Sequence, residues 1–398
     1  MAYRFGPYAI DVSRRELRRD GGLVHVEPQV FDLLRYLVEN GGRVVGKDEL
    51  LDAVWQGRIV SEATLSSRIN AARRAIGDTG ERQCYIRTVS RRGFLFAGEI
   101  VPPVDLPRPG APEGSFRGPG EGQEVRFCRS ADGVRVAMAT SGRGDVLVKT
   151  ANWLNHVEYD WHSPLLRPFL QGLSGRHRLV RYDERGCGLS DRDVKDISFE
   201  GFVRDLEAVV DALALHRFSL IGISQGAAVA VAFAARHPER VEKLVLHGGY
   251  ALGRRRRNSL AHEEQADAFV TLMRHGWGDE HSAFMQAFSS IYIPRGTPEQ
   301  VRWFTDLQRM STSAENAVRI RDACDRIDVV DLLPRVRAPT LVTHSRFDHV
   351  APFEQGRLVA ASIPDARLVA LESDNHAILP DEPAWATWTR EIEAFLAG

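Results

Sequence analysis

The chain has 398 residues, of which 43 % are hydrophobic and 26 % are charged. These fractions are close to those of globular proteins and exclude a wholly disordered, collagen-like or coiled-coil chain, while the length predicts two or three domains. The 52 basic residues almost balance the 53 acidic ones, but residues 1–100 carry a surplus of three positive charges (16 against 13). A mildly basic N-terminal region beside a mildly acidic remainder is compatible with nucleic-acid binding.

The N-terminus, the apolar runs and the cysteines bear on the cellular compartment. The longest apolar run, residues 227–235, is too short to cross a bilayer, and the first twenty residues lack the features of a signal peptide. The four scattered cysteines predict neither a disulfide framework nor a zinc site, and no Walker loop or dinucleotide fingerprint is present. We therefore expect a cytoplasmic protein without membrane contact, cofactor or metal.

Residues 1–100, called the head below, begin with short strands predicted over 3–12 and 23–26. Apolar residues at helical spacing then predict helices over 29–39 and 47–55. After a third helix, described next, a hairpin predicted over 85–96 closes the head and carries Arg91 and Arg92 at its tip. The head is therefore expected to be an α+β unit.

The third predicted helix begins after Ser61, a residue type suited to the N-cap position. Apolar residues that recur at steps of three and four predict its buried stripe: Leu65, Ile69, Ala72 and Ile76. The opposite, outward face is predicted to carry polar and basic residues, three at its centre and two at its flanks: Ser67, Asn70, Arg74, Arg68 and Arg73. A solvated basic helix with no ligand is the alternative interpretation of this face.

The residues over 60–78, with Tyr85-Ile86-Arg87-Thr88-Val89 and Arg92-Gly93-Phe94, resemble the winged-helix effector domain of OmpR/PhoB-type transcription regulators. The resemblance implies that the third helix enters the major groove of double-stranded DNA and that the hairpin wing contacts the minor groove or the backbone. It implies DNA contacts from eight residues: Ser67, Arg68, Asn70, Arg73, Arg74, Thr88, Arg91 and Arg92. Since one winged helix makes few base contacts, a homodimer on repeated half-sites is expected.

Residues 101–123 contain six prolines and five glycines and are predicted to form a linker. The following residues, 124–398, called the body below, alternate predicted strands and helices in an order that implies a wound, mostly parallel sheet. In response regulators of the resembled class a receiver domain precedes the winged helix, whereas this chain starts with the winged helix itself. Control of the head is therefore expected to come from the body.

The body contains Gly222-Ile223-Ser224-Gln225-Gly226 between a predicted strand and an Ala/Val-rich helix. This G-x-S-x-G pattern is typical of a nucleophile elbow, in which the serine lies on a strained turn with small neighbours. A structural glycine-serine turn is the alternative. The following helix presents its N-terminus, where backbone N–H groups can stabilise an oxyanion.

An acid and a histidine are expected to follow such a serine in chain order. Asp348 comes after the strand-like run 340–344, and His376 lies in a loop after the last strand-like run. In this arrangement the histidine takes the serine proton, and the carboxylate orients the ring and stabilises its cation. His344 and His349 are nearby alternatives to His376, but neither follows the last strand.

With the loop 182–190, these patterns make the body resemble the α/β-hydrolase superfamily. The resemblance implies a catalytic set of Ser224, Asp348 and His376, and a helical cap formed by about residues 252–330. The His-Gly that usually follows the third strand is replaced by Thr150-Ala151-Asn152-Trp153. The expected oxyanion donors are the backbone N–H of Gln225 and that of Asn152 or Trp153.

These interpretations leave two functions open. The favoured one is a one-component transcription regulator whose body binds a small apolar ligand, with or without cleaving it. The alternative is an active serine hydrolase of ester- or lactone-type substrates with an accessory DNA-binding head. The four consecutive arginines at 254–257 are predicted to lie in a solvated loop, with an anion-binding site as the minority interpretation.

Overall fold

The computed structural model describes residues 2–11, 16–19, 22–24, 26, 28–55, 62–79, 82–89, 92–98, 122–278 and 282–398. The chain divides into two units, Met1–Ser115 and Phe116–Gly398, and the dividing point lies inside the predicted linker. The predicted N-cap Ser61, the wing residue Arg91 and nearly all of the linker lie outside the described residues. Within the described part of the chain, every helix is too short or too polar to span a bilayer.

Among its described residues, the head contains a four-stranded antiparallel sheet, three helices and a three-stranded sheet that includes the wing. Its strands are β1 Ala2–Phe5, β2 Tyr8–Asp11, β3 Glu16–Arg19, β4 Gly22–Val24, β5 Val44–Val45, β6 Ile86–Val89 and β7 Gly93–Phe96. Its helices are α1 Pro28–Glu39, α2 Lys47–Trp55 and α3 Glu62–Ala75. The stripe predicted for α3 is buried in the core of the head: Leu65, Ile69, Ala72 and Ile76.

The body is built on an eight-stranded sheet in the order β15-β14-β13-β12-β10-β11-β9-β8. Its strands are β8 Glu124–Arg129, β9 Arg135–Ser141, β10 Val146–Lys149, β11 Arg178–Tyr182, β12 Phe218–Ile223, β13 Val241–His247, β14 Thr340–Ser345 and β15 Ala366–Leu371. The strands from β10 to β15 pair in parallel, and only the pairings that involve β9 are antiparallel. The predicted mostly parallel sheet is thereby confirmed.

Helices cover both faces of this sheet. The helices that flank the sheet are α4 Val157–His162, α5 Arg167–Ser174, α6 Phe199–Ala212, α7 Gln225–Arg236, α12 Phe353–Ser362 and α13 Pro383–Ala397. Because successive strand residues point to opposite faces, Leu220 and Leu246 pack in the core that contains α6 and α7. Ile221 and Val245 pack in a second core with residues of α5 and α13.

In the part of the chain that the structure describes, four further helices lie between β13 and β14, where the sequence predicts a cap. They are α8 Leu260–Gly276, α9 Ala283–Tyr292, α10 Pro298–Ser311 and α11 Ala314–Asp325. The helix α10 begins at a complete capping box, in which Thr297 and Gln300 bond each other's backbone N–H groups. Phe288 and Phe304, on α9 and α10, join the core of the body, so that the cap packs on the sheet layers rather than forming a separate core.

Candidate functional sites

Ser224 lies between β12 and α7 in a strained backbone conformation, with φ +55° and ψ −128°. The two glycines of the pattern are required by close approach. A Cβ on Gly222 would lie 2.7 Å from the Ala227 Cα, and one on Gly226 would collide with the Ala151 carbonyl. The turn thus holds the serine side chain at the carboxyl edge of the sheet, beside the N-terminus of α7.

The structure brings Ser224, His376 and Asp348 together. His376 Nε2 is 2.8 Å from Ser224 Oγ, and His376 Nδ1 is 2.6 Å from Asp348 Oδ2. The other carboxylate oxygen, Asp348 Oδ1, accepts bonds from the backbone N–H groups of Val350 and Ala351. Burial raises the pKa of Asp348, but the charge and hydrogen bond of His376 outweigh burial and hold that pKa below its usual value.

The two other histidines near the acid are placed differently. His344 is fully buried, and its Nε2 is 2.8 Å from the Ala351 carbonyl and 3.7 Å from Asp348 Oδ2. His349 is exposed. Of the three candidates, His376 is the one whose ring lies within hydrogen-bond distance of Ser224.

The loop that carries His376 is fixed to the end of α9. The backbone N–H of His376 donates to the Tyr292 carbonyl at 2.9 Å, and the two rings are 5.8 Å apart. Ser345 Oγ donates to the Asn375 carbonyl at 2.6 Å. A displacement of α9 would therefore act directly on the histidine.

The loop after β10 lies against the start of α7, where the sequence predicts the oxyanion donors. Thr150 Oγ1 donates to the Gly226 carbonyl at 3.0 Å, and Asn152 and Trp153 line the same cavity as Ser224. Gln225 is the first residue of α7. The three predicted donors therefore lie near the serine on two elements. Their side chains bond other groups; Trp153 Nε1, for example, donates to Gln308 Oε1 at 3.2 Å.

The predicted DNA-binding residues of the head lie on α3 and on the wing, and they differ in how exposed they are. Ser67, Asn70 and Arg74 are exposed on α3, on the side away from its buried stripe, and Arg68 at the flank is half-buried. The wing residues Thr88 and Arg92 are also exposed, while Arg91 is outside the described residues.

Arg73 is a correction to the predicted outward face. Its side chain is only 6 % exposed, and its guanidinium donates to the Ile86 carbonyl at 2.8 Å and to Thr88 Oγ1 at 2.9 Å. The prediction that it lies on the outward face was wrong, because the end of α3 packs against β6; its contact with DNA stays a prediction. Arg73 ties the third helix to the wing instead.

Two family models match the chain. The model of the α/β hydrolase fold matches residues 153–383, which is more than half of the chain. The chain belongs to the α/β hydrolase fold family. The model of the C-terminal domain of transcriptional regulatory proteins matches residues 21–96, so that a DNA-binding regulator domain precedes the hydrolase-fold body. Both resemblances stated from the sequence are thereby confirmed.

Individual relatives match one unit each. The AB hydrolase superfamily protein YisY of Bacillus subtilis is 25 % identical over 273 residues, which are 64 % of this chain and 94 % of that protein. The transcriptional activator CadC of Escherichia coli is 33 % identical over 99 residues, 25 % of this chain and 19 % of CadC. The crystallised esterase EaEST of Exiguobacterium antarcticum shares the fold, with a TM-score of 0.59, 23 % identity and coverage of 69 % and 100 %.

The hydrolase-fold body contains a cavity of about 810 Å³ beside Ser224 and His376. Its walls are mostly aromatic and aliphatic side chains, including Trp153, Leu165, Phe169, Phe304, Leu307 and Trp388. Two charged residues also line it, Lys149 and Asp160. Burial lowers the pKa of Lys149 to about 8 and raises the pKa of Asp160 to about 6.

Sequence reasoning missed the buried pair of Glu184 and Gln225 beside Ser224. Glu184 is buried and its Oε2 accepts a bond from Gln225 Nε2 at 3.0 Å. Burial raises the pKa of Glu184 to about 8 despite this bond. The neighbouring Asp183 and Arg185 stabilise the turn, the first through Asn155 and the second through Asp205.

A second missed residue supports the wing of the regulator domain. Asp78 is 2 % exposed, and its carboxylate accepts four backbone N–H bonds, from Thr79, Cys84, Tyr85 and Ile86. Burial opposes its ionisation, but the four bonds outweigh burial and lower its pKa. A single acidic residue in a loop gives no periodic signal, so only the folded chain could identify it.

Proposed function

We propose that the protein is a one-component transcriptional regulator that binds double-stranded DNA through the winged helix and senses a small apolar ligand in the hydrolase-fold body. The observation that carries the proposal is the presence in one chain of an exposed polar helix face and an apolar cavity of about 810 Å³. Ser67, Asn70 and Arg74 would face base edges from α3, as in other winged helices. The cavity has the mostly apolar lining, with a few polar groups, that is typical of a site for a small molecule.

Control of DNA binding requires a ligand that favours one of two arrangements of the molecule. The bond between His376 and the end of α9 offers a route, because a ligand beside Ser224 contacts both the triad and the cap. A homodimer would convert a change in the body into a change in the spacing of two winged helices. Since the chromosome is its partner, the regulator would act in the cytoplasm.

An active serine hydrolase is the second candidate, and the distances of 2.8 and 2.6 Å along Ser224, His376 and Asp348 favour it. In that reaction Ser224 Oγ attacks an ester or lactone carbonyl while His376 Nε2 takes its proton. Asp348 stabilises the resulting imidazolium. The backbone N–H groups of Gln225 and of Asn152 or Trp153 would stabilise the oxyanion. His376 then protonates the leaving alkoxide, and water releases the acyl group.

Footprinting of the full chain on the DNA upstream of its own gene tests the regulator. Protection is expected without ligand, and its extent should change when a member of an ester and lactone series is added. Absence of any protected sequence would contradict the DNA-binding proposal, and a footprint that no bound ligand alters would contradict sensing. Labelling by a fluorophosphonate tests the second candidate, the active serine hydrolase, because only an activated serine reacts with this reagent.

A further inference from the structure

A second, smaller cavity adjoins Ser224 on the side of the cap. Ser224 and Gln225 both line it. Its other lining residues include three arginines: Arg254, Arg257 and Arg321. We call these three residues the arginine chamber. Trp153 borders both this cavity and the apolar one, so the two cavities meet at the serine.

The arginine chamber corrects the prediction that residues 254–257 form a solvated loop. Arg254 is only 7 % exposed, and Arg257 is half-buried. Of the four arginines, Arg256 is the exposed one, and its Nε donates to the Arg326 carbonyl. The run forms a short 3-10 turn, Arg254–Arg256, and such a turn directs neighbouring side chains to different sides.

The positive charge of the chamber exceeds its negative charge. Asp325 pairs with both Arg254 and Arg321. Arg257 donates to the Leu252 carbonyl at 3.0 Å, and among the described residues no carboxylate lies within 4.0 Å of its guanidinium. Three cations therefore line the cavity with one carboxylate, Asp325.

Aromatic rings fix the guanidinium groups without neutralising them. Arg254 lies 5.2 Å from the ring centre of Phe269, and Arg257 lies 5.8 Å from that of Tyr250. Burial, together with the charge of Arg254, lowers the pKa of Arg257 to about 10. The group still carries its proton at neutral pH. Surplus buried charge is costly unless a counter-charge is bound.

We propose that the arginine chamber binds the carboxylate of an acyl compound whose ester or lactone carbonyl lies at Ser224 and whose apolar part occupies the larger cavity. A guanidinium matches the two oxygens of a carboxylate with two parallel N–H donors. This inference deepens the proposed function, because it takes Ser224 as the point at which the ligand is held. It makes the ligand of the proposed function apolar only in part: a carboxylic acid with a second, esterified carboxyl group and an apolar portion.

Isothermal titration calorimetry on the full chain tests the chamber without requiring turnover. The probes are monomethyl adipate, which has a carboxylate, and dimethyl adipate, which has none. They are titrated into a Ser224→Ala background. The parent variant is expected to bind the monoester at least about tenfold more tightly than the diester, because charge-assisted bonds in a buried site are worth that much.

Arg257→Gln in the same background should weaken monoester binding by about 10- to 100-fold and leave diester binding unchanged. Arg256→Gln, the matched control from the same run, should change neither by more than about twofold. Arg257→Lys keeps the positive charge but lacks the two parallel N–H donors of a guanidinium. Its affinity for the monoester should therefore lie between that of the parent variant and that of Arg257→Gln. Unchanged diester binding shows that the variants are folded.

Equal affinity for the two probes would overturn the proposal for the arginine chamber. An equal loss of monoester affinity in Arg256→Gln and Arg257→Gln would overturn it as well. Tighter binding of inorganic phosphate than of the monoester would overturn the choice of a carboxylate. The chain with Ser224 present is assayed on the same esters. Monoester binding without hydrolysis would contradict the hydrolase candidate but not the proposal for the arginine chamber. Hydrolysis of both esters at equal kcat/KM would contradict the proposal for the arginine chamber but not the hydrolase candidate.

Discussion

The head and the body place their candidate functional residues in opposite ways. In the head, Ser67, Asn70 and Arg74 lie exposed on a single helix, three or four positions apart. In the body, Ser224 and His376 are 152 positions apart in sequence, and both are at most 5 % exposed. A surface that meets a long polyanion must be accessible, whereas an activated hydroxyl depends on partners fixed in a site that excludes water.

Each unit also contains a buried arginine with a structural role. Arg73 bonds the Ile86 carbonyl in the head. Arg185 is fully buried in the body, where it pairs with Asp205 at 2.8 Å and Asp132 at 2.6 Å. A basic residue near a candidate site is therefore not by that fact a ligand contact. Burial and bonded partners decide which arginines remain available.

The largest expected effect is a change in the body that leaves the function of the head unchanged. Ser224→Ala should lower kcat/KM for aryl esters by about 10⁴-fold or more if the body is an enzyme, because the nucleophile is lost. DNA binding by the unliganded protein should not change. Ester hydrolysis and fluorescence anisotropy on the same preparation measure both properties, with Ser290→Ala, on the cap helix α9, as control. Loss of DNA binding in Ser224→Ala would break the proposed independence of the sites.

A change of pH should act on the body through Glu184. Its folded pKa of about 8 lies above its ordinary value of 4.5, so the folded state holds the proton more tightly. The corresponding contribution to the free energy of unfolding is present below about pH 4.5 and is lost as the pH rises to about 8. In Glu184→Gln, the free energy of unfolding should fall less over this pH range than in the wild type, by on the order of 3 kcal/mol.

Urea unfolding followed by tryptophan fluorescence measures this effect, because six of the seven tryptophans lie in the body. The comparison is made at pH 5 and pH 8, and the exposed Glu299→Gln variant is the control. Equal pH dependence in the wild type and in Glu184→Gln would show that Glu184 is already ionised when buried.

In the head, Arg73→Ala should lower stability by about 2 kcal/mol, because it removes bonds to the Ile86 carbonyl and to Thr88 and leaves buried space. Amide hydrogen exchange of β6 should accelerate by about 10- to 100-fold, with exchange in the body unchanged. The exposed Arg87→Ala on the same strand is the control. Protection of β6 equal to that of the wild type would contradict the structural role of Arg73.

The smallest effect is expected for Arg74→Ala, which leaves the fold intact. DNA affinity at about 0.1 M salt should fall by about tenfold, and the slope of log affinity against log salt should decrease by about one if Arg74 contacts a phosphate. Anisotropy titrations at four salt concentrations measure both quantities. Arg337→Ala, an exposed charge change in the body, should alter neither. An unchanged affinity would remove Arg74 from the proposed interface.

Much of the fold could be predicted because the relevant patterns are local. The predicted helix 47–55 agrees with α2 at both ends, and the predicted third helix agrees with α3, Glu62–Ala75, to within about one residue. The order of serine, acid and histidine along the chain also pointed to the residues that the structure brings together. Periodicity, capping and turn chemistry are properties of neighbouring residues.

The tertiary structure alone decided which charged residues face a cavity, a strand or solvent. Helical spacing placed Arg73 at the flank of an outward face, but packing against β6 buried it. Nothing in the run 254–257 distinguishes Arg256 from Arg257, yet one is exposed and the other lines a cavity with Arg321. The sequence by itself determined the two folds and the candidate nucleophile, because those depend on local patterns. The surroundings of each charge depend on contacts between residues distant in the chain, which only the folded structure brings together.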